Sequence, residues 1–379
     1  MGSQLLYITL SDVQSTVTAL GILFGVLSFI VLSLTWLERK ALGRLQRRLG
    51  PTRTGPFGLL QPIADAVKLV LKEDILPSAS EKAIFWIAPV IVVVSAFMVW
   101  VTIPITETIG IQNLELGLLY ITAVSVLGIL GLVLAGWGSA NKYGVIGGLR
   151  SAAQLISYEI PIIMVVVAVG MLSQSLDLRV IVADQNPLLY GLILPLGLVI
   201  FFISGLAEVG RTPFDIYHAE SEISGGPFVE YSGAHWSVFF LAEYINTFAI
   251  ATMITIFFLG GWLGPILPGI VWFLIKVYGI VLVVFWVRGT FPRLRIDQLM
   301  AFAWKVMVPL AFYTIVITAI YLFYNLPPWT LTCMSLLGLL VVGYCIYQRV
   351  KGPARRVEEI RARQAEQKRN RNVNDGARI

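Results

Sequence analysis

Uninterrupted apolar runs dominate this chain. Nine of them are long and nearly free of charge: Thr16–Trp36, Ala83–Ile105, Leu114–Trp137, Leu155–Ser173, Leu188–Ala207, Ser237–Gly261, Ile266–Val287, Ala301–Tyr324 and Trp329–Tyr347. Crossing the hydrocarbon core of a bilayer takes about 20 residues of α-helix. Inside that core every backbone polar group must find a partner within the protein, which favours helices. A β-barrel would show alternating segments of about 10 residues, which are absent. The fold class expected is all-α, a polytopic membrane helix bundle of about nine transmembrane helices. Composition agrees: 57% of the 379 residues are hydrophobic and 13% are charged, against roughly 25% charged in soluble domains.

Basic residues set the orientation, because cytoplasmic loops collect Lys and Arg. Between Arg39 and Lys82 there are nine, loop 3–4 carries Lys142 and Arg150, and loop 5–6 carries Arg211. Loop 7–8 and its borders carry Arg288, Arg293, Arg295 and Lys305, and ten more follow from Arg349 onward. The alternate loops hold only Arg179. The expected topology places the N-terminus outside and the C-terminus in the cytoplasm of a multi-pass membrane protein. Residues 1–15 lack the basic segment of a secretory signal, so the first run reads as an uncleaved anchor.

The net charge of +6 belongs to the tail. Residues 349–379 hold ten Lys/Arg against four Asp/Glu, whereas residues 1–348 hold 18 of each. The division is therefore one transmembrane domain over 1–348 and a basic cytoplasmic tail over 349–379, suited to an anionic leaflet. A neutral body argues against nucleic-acid binding. The redox inventory is poor. Cys333 and Cys345 are 12 residues apart on one expected helix, about 18 Å at 1.5 Å per residue, too far for a disulfide. No CxxC, P-loop or dinucleotide fingerprint occurs, so no haem, flavin, iron–sulfur cluster or nucleotide is expected on this chain. The two histidines, His218 and His235, share one loop and read as polar loop residues without the further ligands a metal needs.

The polar residues gather on the cytoplasmic side. Loop 5–6 holds Glu208, Asp215, Glu220, Glu222 and Glu230 within 23 residues. Carboxylates crowded at a low-dielectric boundary hold protons more tightly and suit proton exchange. A solvated loop docking on a basic partner is the plainer alternative. Glu159, Glu243 and Lys276 fall at the edges of spans or inside them, where charge is costly and usually faces an internal path. Glu243 and Lys276 are candidates to neutralise each other. Leu60, Ile63, Val67, Val70 and Leu71 recur at helical spacing opposite Asp65, Lys68 and Lys72. This predicts an amphipathic helix on the membrane surface. Arg288 to Met300, RGTFPRLRIDQLM, suggests a fixed turn with internal ion pairs.

Four blocks then carry a resemblance. Glu38–Asp74 (ERKALGRLQRRLGPTRTGPFGLLQPIADAVKLVLKED), Gly136–Glu159 (GWGSANKYGVIGGLRSAAQLISYE), Ala207–Gly233 (AEVGRTPFDIYHAESEISGGPFVEYSG) and Phe291–Lys305 (FPRLRIDQLMAFAWK) resemble, in order, four cytoplasmic loops. These are the loops of the respiratory complex I (NADH-quinone oxidoreductase) membrane-subunit family that includes mitochondrial NADH dehydrogenase subunit 1. The ninth run and the basic tail resemble the bacterial members of that family. The resemblance implies a membrane subunit of a proton-translocating NADH:quinone oxidoreductase, at the junction with the peripheral arm. It implies a bound quinone substrate, with flavin and clusters carried by other subunits. It also implies cluster-bearing peripheral-arm partners and antiporter-like and small membrane-arm partners. By motif match, Glu38, Arg39, Asp65 and Arg288 would line the quinone chamber. Glu159, Glu208, Asp215, Glu220, Glu222, Glu230, Glu243 and the membrane lysine Lys276 would form a coupling funnel. One departure stands out: relatives read PFDLPEAESE where this chain has PFDIYHAESE, with Tyr217 and His218. Two other readings stay open at this point. One is the equivalent subunit of a hydrogenase- or reduced-deazaflavin-linked complex; the other is an autonomous secondary transporter.

Overall fold

The computed structural model describes residues 10–216, 224–344 and 347–348, with side chains from residue 17 onward. Tyr217, His218, Glu220, Glu222, Cys345 and the basic tail lie outside the described residues. Among the described residues the regular structure is all helix, with no strand. α1 (Leu10–Leu45) has 36 residues, about 54 Å at 1.5 Å per residue, against a hydrocarbon core of about 30 Å. Its last turns therefore project past the apolar layer and carry Glu38, Arg39, Lys40 and Arg44. A wound loop with left-handed Gly55, Phe57 and Gly58 leads to α2 (Gln61–Leu71). Leu60, Ile63, Val67, Val70 and Leu71 are all exposed, so the apolar stripe faces outward, as an interfacial helix requires.

There follow α3 (Lys82–Met98), α4 (Gly117–Gly138), α5 (Lys142–Ser173), α6 (Leu178–Asp184), α7 (Tyr190–Ile193), α8 (Pro195–Val209), α9 (Gly233–Phe258), α10 (Gly269–Thr290), α11 (Ile296–Phe302) and α12 (Val308–Phe323). α11 and α12 join through a π-turn at Ala303–Met307. A last apolar helix, α13, covers Pro328–Tyr344. Among the described residues seven helices are long and apolar enough to cross a membrane, and α8 and α13 are shorter. The protein is an integral membrane protein.

Two expected boundaries move. The fourth span, placed at Leu155–Ser173, begins at Lys142. Gly144, Gly147 and Gly148 do not break the helix; they are buried there, because small residues let membrane helices approach closely. A Cβ on Gly147 would stand 2.5 Å from the Gly226 Cα, and one on Gly136 would stand 2.5 Å from the Gly144 carbonyl oxygen. The fifth span, placed at Leu188–Ala207, is broken. Leu194 leaves helical geometry (φ −124, ψ 61), as the residue before a proline tends to, and α8 restarts at Pro195. α5 forms the centre, packed on α4, α8 and α12, while α9 packs on α3, α10 and α8. α1 and α2 lie outside this core against α9, and the gap they enclose holds the site.

Candidate functional site

The overhang of α1 delivers Glu38 into the protein, where the residue is 4% exposed. Three groups hold its carboxylate. Arg288, in the last turn of α10, makes a close ion pair with Oε1. Arg211, just past the end of α8, reaches Oε2 at 3.5 Å. The Tyr244 hydroxyl of α9 donates to Oε2 at 2.7 Å. Arg211 also reaches Glu243 Oε1 through Nε at 3.2 Å, and its guanidinium lies 4.4 Å from the Tyr244 ring centroid. A buried charge is tolerated only when paired. Two carboxylates and two guanidiniums meet that condition together. Burial pulls the Arg211 pKa down, but Glu243 and Glu38 outweigh it and hold the group above the ordinary arginine value.

Beside this cluster lies a cavity of about 490 Å³ between α1, α2, α9 and α10, lined by Thr35, Glu38, Arg39, Asp65, Tyr244 and Arg288 among apolar neighbours. Its size and its few convergent polar groups suit an amphipathic small molecule. Arg39 and Asp65, on facing walls, pair at 2.6 Å. This pair replaces the Asp65–Lys68 contact that helical spacing suggests, because α2 turns its polar edge towards α1. Glu38, Arg39, Asp65 and Arg288 thus share one cavity, although 250 residues separate the first and last.

A polar cleft of about 510 Å³ continues from it, lined by Arg211, Asp215, Trp236, Phe240, Glu243, Tyr244, Arg288 and Arg293. Asp215 pairs with Arg293 at 2.8 Å. Arg288 and Arg293 therefore pair across to α1 and loop 5–6, not within their own segment as expected. Asp297 stands in the first turn of α11, where a carboxylate faces the positive helix end. Beyond the cleft two small hollows of about 60 and 70 Å³ follow. The first is lined by Glu243 and Glu208, the second by Glu208 and Ser125. The Ser125 hydroxyl donates to Glu159 Oε1 at 2.9 Å. Glu38, Glu243 and Glu208 thus line successive spaces running from the cavity into the bundle, and Ser125 links the last of these to Glu159.

Other expected members stand apart. Glu230 accepts from Asn141 Nδ2 at 2.6 Å, tying loop 5–6 to the start of α5. Lys276 does not neutralise Glu243. Its ammonium donates to the Leu259, Gly261 and Leu263 carbonyls at 2.7, 3.0 and 2.7 Å. Those carbonyls follow the far end of α9, about 24 Å along that helix from Glu243 at 1.5 Å per residue. His235 is buried against Asp74 and the edge of Trp86. Glu220, Glu222 and His218 lie outside the described residues. Among the described residues no three His, Cys, Asp or Glu gather to hold a metal. Sequence reasoning passed over Arg211 and Tyr244. The available signal was that Arg211 is the single cation in a loop of five carboxylates.

A family model described as NADH dehydrogenase matches residues 17–319. An NADH-quinone oxidoreductase subunit of Dehalococcoides mccartyi strain CBDB1, the subunit designated H, is 46% identical over 298 residues, covering 79% of this chain and 84% of the relative. The Brevibacillus brevis protein of the same description is 47% identical over 323 residues, covering 84% and 95%. That of Bacillus cereus strain B4264 is 47% identical over 305 residues, covering 79% and 91%. With about four fifths of its length matched and its helices built for a bilayer, the chain belongs to the NADH dehydrogenase family, as a membrane subunit of an NADH-quinone oxidoreductase.

Proposed function

We propose that the cavity beside Glu38 receives the quinone headgroup and that the carboxylates behind it couple quinone reduction to proton translocation. The observation that carries this reading is the convergence of Glu38, Arg39, Asp65 and Arg288 on one cavity of about 490 Å³. The relatives' shared description names quinone. Apolar walls from α1, α2 and α9 accommodate the isoprenoid end, and the charged end meets the headgroup. Electrons arrive from a cluster in a peripheral-arm subunit on the cytoplasmic side. The acceptor bears negative charge once reduced, and nearby carboxylates then bind protons more strongly. Glu243, Glu208 and Glu159 pass that change towards antiporter-like partners in the membrane arm. The N-terminus lies outside and the cytoplasmic loops face the peripheral arm, in keeping with the distribution of Lys and Arg.

The test is Arg288→Met in the assembled complex. Quinone reductase activity falls at least tenfold, while NADH oxidation by an artificial acceptor is retained. Wild-type quinone kinetics in the assembled variant remove Arg288 from the chamber. Equal loss of both activities shows failed assembly instead, and Arg288→Lys then serves as the milder probe. Co-purification of an NADH-oxidising flavin subunit separates this reading from a hydrogenase- or deazaflavin-linked complex.

A further inference from the structure

α1 presents a second set of residues that the chamber does not use. Thr35, Glu38, Arg39 and Leu42 face the chamber. Trp36, Lys40 and Arg44, spaced by four, form a stripe on the opposite face of the helix. That stripe, with Leu37 and Ala41, walls another cavity of about 320 Å³, closed by Phe57 and Leu59 from the wound loop and by Leu282 of α10. The lining is apolar apart from its two cations.

The cavity lies along the α1–α10 seam. The two helices meet where the Ser33 and Tyr278 hydroxyls share a hydrogen bond at 2.6 Å. They meet again at Gly289, where a Cβ would come within 2.8 Å of Leu45 and 3.2 Å of Leu42. Leu282 in its wall and Trp286 one turn further along α10 are both exposed, so the cavity continues the lipid-facing surface. The depth is set by the end of the apolar part of α1, the level of the headgroups. Among the described residues no carboxylate pairs with Lys40 or Arg44.

Phe57 supports the same reading. It holds a left-handed backbone (φ 56, ψ 18), a conformation that non-glycine residues rarely adopt, and the residue is 78% exposed. The Trp36 indole donates to the Phe57 carbonyl at 3.3 Å, tying the loop to the stripe. An exposed aromatic held in this way, beside a tryptophan and two cations at the interface, matches the chemistry of a headgroup site.

We infer that the Trp36–Lys40–Arg44 face of α1 binds one anionic phospholipid. Its phosphate lies against Lys40 and Arg44, and its upper acyl carbons lie between Trp36, Leu282 and Phe57. This site is separate from the chamber, and its test reads lipid, not turnover.

The experiment uses the intact detergent-purified complex. Wild type is compared with the double variant Lys40→Gln/Arg44→Gln and with the charge-keeping Lys40→Arg/Arg44→Lys. Each is delipidated, then titrated with phosphatidylglycerol or phosphatidylcholine of matched acyl chains, and bound lipid is counted by native mass spectrometry. Wild type and the charge-keeping variant should each retain one phosphatidylglycerol more than the glutamine variant. Half-saturation for that lipid should be at least tenfold lower than for phosphatidylcholine, and inorganic phosphate should not displace it. Equal phosphatidylglycerol counts in all three complexes, or equal affinity for the zwitterionic lipid, overturn the inference. If the glutamine variant fails to assemble, Phe57→Ser takes its place. It leaves the charges and removes one wall, and an unchanged lipid affinity in that variant counts against the site. Protection of Lys40 from amine labelling by an acidic partner subunit, with no lipid bound, also overturns it.

Discussion

Arg211 is the residue whose removal discriminates best between an organised site and a merely polar one. Its side chain is 4% exposed and touches two carboxylates, Glu38 and Glu243. An exposed ion pair is worth about 0–1 kcal/mol, whereas removing one partner of a buried pair costs about 3–5 kcal/mol. Glu38 keeps Arg288 and Tyr244 when Arg211 is lost. Arg211→Met therefore falls hardest on Glu243, which loses its guanidinium partner, and the cost should lie within that buried range. At about 1.4 kcal/mol per factor of ten, the native arrangement of the cleft is disfavoured by about two to four powers of ten. Arg211→Lys restores the charge, but an ammonium is a point charge without the guanidinium's fork and cannot span both carboxylates as well. The assay is NADH:quinone reductase activity of the assembled complex, with an artificial acceptor as the assembly control. The expected order is wild type, then Lys, then Met. The Met variant should fall at least a hundredfold and the Lys variant about tenfold, with the control unchanged. Quinone turnover of the Met variant within twofold of wild type would refute the claim that the buried cluster organises this site.

Three further outcomes follow from the geometry. Glu208→Gln keeps the shape of both small hollows and removes the charge, so quinone reduction should stay within about threefold while proton translocation in proteoliposomes drops by more than half. Undiminished pumping would take Glu208 out of the coupling path. Asp65→Asn breaks the pair with a half-exposed Arg39, an interaction worth at most about 1 kcal/mol; KM for quinone should rise less than about fivefold, with kcat nearly unchanged. Lys276→Met removes a cation from three carbonyls, and a hydrogen bond to a charged group contributes about 1.5–3 kcal/mol. The complex should inactivate at a lower temperature with an unaltered quinone KM, and a selective change in KM would instead connect Lys276 to the chamber.

The apolar runs made the bundle legible, because a bilayer leaves so few solutions to backbone hydrogen bonding. Where the reading slipped, a local rule met a tertiary one. Gly147 and Gly148 signal a loop in isolation, yet close contact with Gly226 and Gly136 makes them interior helix positions. Pro195 breaks a run that hydropathy alone reads as continuous. The candidate site was legible through its residue types more than through its pairings. Motif order named Glu38, Arg39, Asp65 and Arg288, and the fold gathers them around one cavity. Which cation meets which carboxylate depends on chain crossings that spacing does not encode. Arg211 therefore emerges as a shared partner only in three dimensions, and Lys276 proves to serve the far end of α9.

The quartet of Glu38, Glu243, Arg211 and Arg288 also has an arithmetic of its own. With both carboxylates ionised, two negative and two positive charges sum to zero. An electroneutral cluster casts only a short-range field, so it neither attracts nor repels an uncharged molecule arriving from the lipid. The balance is held without slack, since both cations are already engaged by carboxylates. Any net charge created beside it therefore stands uncancelled, in surroundings that screen it far less than water does. Neutrality can then be recovered by a proton moving, whereas an arginine changing partners leaves the sum untouched and only turns its charge towards the new one, a shift for which Arg211, already touching two carboxylates, is placed.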